Sequence, residues 1–339
     1  MPFPSPYELP PVAQTWRQPD WPEVSVSVVT FNQRQLIGRA LDSILSQQVN
    51  FSYEIVVGDD CSDDGTREVL LDYQQRHPDV IRLRLYDRRQ PGIPGRRNNM
   101  DNPMACRGRY TALLDGDDYW TDPHKLQLQY EMMQRHPRLS ACAHETLVAE
   151  VDHDGRPIEP PMRRGTFPWG YRTTGFYSHE AFCYDRNLGL HTSSWFFRTR
   201  IFGDWPPGYE RVVAADHYFF LLISQRGPVY YDDTIRSTYE RQPASLTNSG
   251  AYLDGGRVLQ RIRDLRTYRQ RFPATTITAS YSAFAVRQVL MLLRQVVRDF
   301  PSHSPSLPYL LLQIAREPRG LAEVIRYRLA KALRQAETA

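Results

Sequence analysis

Short apolar runs alternate with amphipathic stretches through the first third of the chain. Val24, Val26, Val28 and Val29 form a β-branched run that ends at Thr30-Phe31-Asn32, the pattern of a buried strand. Leu36, Ile37, Ala40, Leu41, Ile44 and Leu45 follow at helical spacing. Glu54 to Gly58 predicts a second buried strand, which runs into Asp59-Asp60-Cys61-Ser62-Asp63-Asp64-Gly65-Thr66. A second helix carries Val69, Leu70 and Tyr73. Ile81, Leu83 and Leu85 alternate with Arg82 and Arg84, as in a half-exposed strand. Tyr110 to Leu114 predicts a further strand, ending at Asp115-Gly116-Asp117-Asp118.

Strands that alternate with helices imply an α/β fold with a largely parallel sheet. In such sheets ligands sit beyond the carboxyl ends of the strands. The acidic clusters at 59–60 and 115–118 each follow a strand end, so the pattern places both on one rim of one sheet. Further on, a helix is expected over Lys125 to Arg135, stopped by His136-Pro137. Residues 152–189 read as loops, Leu190 to Arg198 as a strand, and Ala214 to Ser224 as a helix. The expected organisation is an irregular Pro-rich arm over 1–22, an α/β domain over 23–250 and a basic helical region over 251–339.

Charge sharpens this division. The whole chain carries +4, but Gly255 to Ala339 holds 15 Arg or Lys against 5 Asp or Glu, leaving the remainder at −6. An acidic front suits a cation, and a basic tail suits an anionic surface. Within the tail Val286, Val289, Leu290, Leu293 and Val297 share a helical face flanked by Arg287, Arg294 and Arg298. That face either packs on a core or lies on a membrane surface. Nucleic acid is not expected as a partner, because helices with buried-type faces replace the exposed aromatic and Arg sheet that reads it. Cys61, Cys106, Cys142 and Cys183 form no CxxC pair and no disulfide framework, which favours a reducing compartment. The N-terminus lacks the layout of a signal peptide, and no stretch reaches the roughly 20 apolar residues of a membrane span. The expected location is the cytoplasm, with peripheral contact at the inner face of the membrane through the tail.

The acidic rim carries the chemistry. Crowded carboxylates stay ionised cheaply when a cation sits among them, and carboxylate oxygens suit Mg²⁺ or Mn²⁺. Mg²⁺ is usually held by one or two carboxylates plus substrate phosphates. Asp115 and Asp117 fit that scheme around Gly116, where a ligand can approach the backbone closely. Taken alone, the same turn also reads as a solvated acidic loop. Asp60 is placed to accept hydrogen bonds from a base or ribose, whereas Asp63 and Asp64 read as helix caps. Asp216 opens a helix and by itself reads as its cap. His191, beside Thr192, Ser193 and Ser194, reads equally as a sugar contact or as a buried histidine satisfied by hydroxyls.

Three motifs in order give a resemblance. Val26-Ser27-Val28-Val29-Thr30-Phe31-Asn32, then Asp59 to Thr66, then Leu113-Leu114-Asp115-Gly116-Asp117-Asp118-Tyr119-Trp120 with Asp122-Pro123-His124-Lys125-Leu126, resemble the family 2 glycosyltransferases. The likeness is good over about residues 22–145, continues more loosely through His191-Thr192-Ser193-Ser194 and Ala215-Asp216, and ends near 250.

The resemblance implies a GT-A fold, a mixed and largely parallel sheet, with the helical C-terminal region as an extension. It implies a nucleotide-binding part over 23–122 and an acceptor part over 123–250. The implied reaction moves a sugar, with inversion, from a nucleotide-sugar donor to a saccharide or lipid-linked saccharide acceptor. UDP is the commonest donor class in such families. Thr30, Phe31, Asn32, Asp59, Asp60, Asp115, Gly116 and His191 would line the donor site. Asp117, with Asp115, would hold the divalent metal. Asp216 falls at the position of the catalytic base. Arg96 and Arg97 sit where the family often has basic groups near the diphosphate. Many relatives carry a His shortly after the base. Ser237-Thr238-Tyr239-Glu240-Arg241-Gln242 has none, so Arg241 would serve the phosphates instead. A catalytically silent nucleotide-sugar-binding protein is the alternative, which loss of the DxD or of the base would favour; neither is lost.

Overall fold

A computed structural model describes residues 20–152, 158, 161–163, 173–179, 181, 190–201, 203, 205, 209–211 and 215–241, with positions 286, 290, 311, 321, 322 and 325 of the tail. Most of the expected arm over 1–22 (residues 1–19) and most of the basic region therefore lie outside the described residues.

The strands are β1 (Val24–Thr30), β2 (Tyr53–Asp59), β3 (Ile81–Leu85), β4 (Tyr110–Asp115), β5 (Tyr119–Trp120), β6 (Ala141–Glu150), β7 (Met162–Arg163), β8 (Gly175–Tyr177), β9 (Phe196–Arg198) and β10 (Val229–Arg241). The helices are α1 (Ile37–Leu45), α2 (Thr66–Arg76), α3 (Arg96–Met104), α4 (Lys125–Arg135) and α5 (Ala215–Ser224). The strands form one sheet in the order β3-β2-β1-β4-β9-β6-β10-β5, with β7 on β6 and β8 on β10. The four strands β3-β2-β1-β4 pair in parallel, as do β6 and β10. β9 runs antiparallel between β4 and β6, so the sheet is mixed α/β.

Val24, Val26 and Val28 are fully buried in β1, between the equally apolar Ile55-Val56-Val57 and Ala112-Leu113-Leu114. Burying each such side chain stabilises by about 1.5–3 kcal/mol. α1 covers this core with Ile37, Ala40, Leu41 and Ile44. α3 covers it differently, through buried Asn98 and Asn102. Asn98 Nδ2 donates to Gly58 O at 2.7 Å, and Asn102 Nδ2 donates to Val28 O at 2.9 Å and Val56 O at 2.8 Å. Side-chain amides thus satisfy backbone carbonyls of β1 and β2 where an apolar helix would leave them to their strand partners alone.

The expected strand over 190–198 is shorter. His191 caps a 3₁₀ turn at Thr192–Ser194, and only Phe196–Arg198 pairs in the sheet. Within the expected loop region, β7 and β8 supply short antiparallel strands.

The chain divides into two compact units. The first comprises 1–179, 189–205 and 219–243 and contains the sheet. The second comprises 180–188, 206–218 and 244–339. Within the second, Val286 is buried, with Leu290 and Leu321 packed against it. Of the apolar tail face only Val286 and Leu290 are described, the first buried and the second half-buried.

Candidate active site

Parallel register assembles the rim. Thr30 pairs with Asp59 across β1–β2, and Val29 pairs with Asp115 across β1–β4. Gly116 N donates to Val29 O at 2.9 Å and Asp60 N donates to Thr30 O at 3.1 Å, which closes both acidic turns onto the end of β1. A Cβ on Gly116 would collide with Gln33 Oε1 and lie 2.9 Å from Thr30 Cβ, so only glycine fits.

The first cluster splits into two roles. Asp59 is fully buried and turned inward: its Oδ2 accepts from Arg67 Nε at 2.9 Å and from Ser62 N at 3.1 Å, and Ser62 Oγ donates to its Oδ1. Asp60 is also buried, but only one of its oxygens is engaged, accepting from Gly95 N at 3.2 Å. Its Oδ1 has no hydrogen-bond partner among the described residues. A buried carboxylate oxygen left open is costly unless a ligand donates to it.

Asp64 accepts from Thr66 N at 3.0 Å and from Arg34 N at 3.0 Å, so it caps α2 from one residue outside. Asp63 pairs instead with Asn32, each side chain bonding the other residue, at 2.9 and 3.0 Å. Asn32 holds a left-handed φ of 51°, and Ser62 Oγ accepts its N–H at 2.9 Å. Its side chain therefore fixes the turn around the rim. Phe31 is half-buried, with the Arg89 guanidinium 3.6 Å above its ring.

On the β4 side, burial holds the half-buried Asp117 carboxyl above the usual carboxylate range. Glu240 adds to that rise, while a hydrogen bond from Gln33 and the charge of Arg39 oppose it. Gln33 also takes the Thr30 hydroxyl at 2.7 Å. A divalent cation would relieve the crowding of Asp117 by Glu240, so the residues present fit such an ion. Among the described residues no group of three His, Cys, Asp or Glu forms a closed metal cage. One or two carboxylates completed by phosphate oxygens would suffice for Mg²⁺.

Asp118 points inward and meets His191, whose Nδ1 lies 3.3 Å from Asp118 Oδ2 and 2.8 Å from Ser193 Oγ. His191 stacks on Tyr239 at 4.4 Å. Trp120 Nε1 and Gln129 Nε2 donate to Ser193 O and Ser194 O, each at 2.9 Å, and so hang this turn from α4 and β5. The histidine is buried and hydroxyl-bonded, next to the DxD turn.

Two of the three arginines expected near the phosphates, Arg97 and Arg241, have acid partners. Arg97 Nε lies 2.8 Å from Asp101 Oδ2, and Arg241 Nη1 lies 2.9 Å from Glu150 Oε1. Asp216 is exposed in the first turn of α5 and belongs to the second unit, whereas all the rim residues belong to the first. Sequence reasoning passed over Gln33, Arg39, Arg89 and Glu240. Gln33 and Arg89 are polar positions in otherwise unremarked loops, Arg39 is a polar position inside α1, and Glu240 approaches Asp117 only through the sheet.

Residues 25–201 match Glycosyl transferase family 2, just over half the chain, and the chain belongs to that family. An uncharacterized protein of Mycobacterium tuberculosis is 37% identical over 139 residues, 41% of this chain and 39% of its own length. Chondroitin synthase of Escherichia coli is 29% identical over 137 residues, 40% of this chain and 19% of its own length. The matched region is thus about two-fifths of the mycobacterial relative's length. The solved structure of S. aureus TarS 1-349 in complex with UDP-GlcNAc is similar with a TM-score of 0.52 at 16% identity, covering 91% of this chain and 92% of that one. At that identity the likeness is one of fold, and the fold is GT-A.

Proposed function

We propose that this protein transfers a sugar from a nucleotide-sugar donor, UDP-linked, to a hydroxyl of a saccharide or lipid-linked saccharide, with inversion. The observation that carries the reading is the pairing, on one rim, of a buried open oxygen on Asp60 with the Asp115-Gly116-Asp117 turn. The first suits a base N–H, and the second suits the metal-bound diphosphate that follows it.

Thr30, Phe31, Asn32, Asp59, Asp60, Asp115, Gly116 and His191 form or support the donor site in this reading. Asp115 and Asp117 would hold Mn²⁺ or Mg²⁺, whose charge stabilises the departing diphosphate. The acceptor hydroxyl oxygen bonds to the anomeric carbon as the bond from that carbon to the diphosphate oxygen breaks. Asp216 takes the hydroxyl proton. Attack opposite the leaving group inverts the centre. Arg97 and Arg241 reach the phosphates only by exchanging Asp101 and Glu150 for them.

Among the described residues no helix is long and apolar enough to cross a membrane. Cytoplasmic placement, with the basic tail at the inner membrane face near a lipid-linked acceptor, extends the proposal.

A thermal-shift screen of nucleotide-sugars with and without Mn²⁺ tests the function. A subset of donors should raise Tm, and more so with the metal, because ligands that bind only the folded state stabilise it by mass action. No shift with any donor at millimolar concentration would contradict the reading.

A further inference from the structure

The turn that carries Asp117 is backed by a line of buried polar groups. Asp118 follows Asp117 directly, is 1% exposed and points inward. Its Oδ2 lies 3.3 Å from His191 Nδ1. The same nitrogen lies 2.8 Å from Ser193 Oγ, which donates to Ser237 Oγ at 3.0 Å. Ser237 Oγ in turn lies 2.9 Å from Thr146 Oγ1. The line thus runs from the acidic turn through the 3₁₀ turn into β10 and β6, and every member is buried. The far flank of the acidic turn meets the same strand, because Trp120 of β5 pairs with Ser237 of β10.

His191 is held in this line. Its ring stacks on Tyr239 at 4.4 Å with 24° between the planes. Leu113 N donates to Trp195 O at 3.2 Å and ties the end of the 3₁₀ turn to β4. Ser193 Oγ passes its hydrogen to Ser237, so it is left to accept from His191, and Nδ1 is assigned the ring hydrogen. Ser193 N also approaches Nδ1, but at 3.3 Å it is the weaker of the two contacts. An N–H at Nδ1 faces the buried Asp118 carboxylate favourably, where a lone pair would repel it.

We infer that His191 is a positioning residue for the metal turn. Through Nδ1 it fixes Asp118, and with it the Asp115-Gly116-Asp117 turn, against β10, and it makes no contact with the donor. This rests on the donor-site reading above and narrows the part His191 plays in it. Outer groups that orient metal-binding carboxylates typically change metal affinity by about ten- to a hundredfold.

Amide replacements separate positioning from donor contact, because an Asn amide nitrogen falls near the Nδ1 position and a Gln amide nitrogen near Nε2. UDP and uridine are titrated by calorimetry with Mn²⁺ and with excess chelator. His191→Ala should weaken UDP binding in Mn²⁺ about tenfold, and should leave UDP in chelator, and uridine, within about twofold. His191→Asn should recover most of that loss and His191→Gln little of it. Asp118→Asn combined with His191→Ala should lose little more than either change alone. Thermal melts check that each variant is folded, and where His191→Ala does not fold the contrast between Asn and Gln decides. Unchanged UDP binding in His191→Ala, equal losses for UDP and uridine, rescue by Gln instead of Asn, or additive losses in the double variant would each overturn the inference. Wild-type protein whose UDP and GDP binding ignores Mn²⁺ would overturn the donor-site reading itself, and the inference with it.

Discussion

Arg39 on α1 forks onto Glu240 near the end of β10, with Nη1–Oε1 at 2.8 Å and Nη2–Oε2 at 2.6 Å. The guanidinium also lies 4.2 Å over the Tyr119 ring. One buried carboxylate, close enough to raise Asp117, is thereby neutralised. Arg39 is 41% exposed, so the pair is worth far less than a fully buried one. Arg39→Ala should cost about 1–2 kcal/mol of stability, and Glu240→Gln in the same background should recover part of it, because the stranded charge is gone. A double-mutant cycle by urea unfolding measures this. Strictly additive losses would mean that the fork contributes nothing.

Asp60 and Asp63 should separate cleanly. Asp60→Asn can keep the Gly95 contact but places an NH₂ where an acceptor stood, so UDP affinity should fall more than about tenfold. Asp63→Ala removes only the exposed bonds to Asn32 and should change affinity less than about threefold. Calorimetry with both variants decides it. Equal losses would show that the turn, and not the open oxygen, matters.

Lys125 is fully buried, with Nζ 3.8 Å over the Trp120 ring and without a hydrogen-bond partner among the described residues. Burial holds its amine well below the usual lysine range, and the charge of Arg236 adds to the fall while Cys142 opposes it. The unfolded chain keeps that proton up to about pH 10.4, so above the folded value the unfolded state binds more protons and stability rises with pH. Lys125→Met should be more stable than wild type at pH 7, and the gap should narrow towards pH 9 by up to about 1.4 kcal/mol per pH unit. Denaturation at the two pH values checks this. A constant gap would mean that Lys125 keeps its proton when folded.

Much of the rim was legible because its determinants are local. β-branched runs gave β1 and β2, a short apolar run gave β4, and the acidic turns follow the ends of β2 and β4 directly. The register that sets Asp59 beside Thr30 and Asp115 beside Val29 follows from parallel order alone. α3 was not legible, since its buried face is made of Asn98, Asn102 and Met100 instead of an apolar stripe. The pairing of Arg97 with Asp101 was in reach, being an i, i+4 spacing on a helix. Arg241 with Glu150 and Arg39 with Glu240 were not, because 91 and 201 residues separate the partners and only the sheet brings them together.

Asp216 bears on turnover alone in this account. Asp216→Asn keeps the shape within the first turn of α5 while losing the charge. It should leave Tm and donor affinity nearly unchanged and lower kcat about a hundredfold or more. Steady-state assays with a competent acceptor read this. Near-normal kcat would leave Asp216 a first-turn residue of α5 only, and another carboxylate would have to be the base.

Metal-dependent binding of a nucleoside diphosphate tests the central claim most directly. Calorimetry of UDP and GDP is run with Mn²⁺ and with excess chelator, on wild type and on Asp117→Asn. The account predicts that at least one nucleotide binds with Mn²⁺, that the chelator weakens it by about tenfold or more, and that Asp117→Asn binds weakly under both conditions. Equal affinity with and without metal, or undiminished metal-dependent binding by Asp117→Asn, would contradict it.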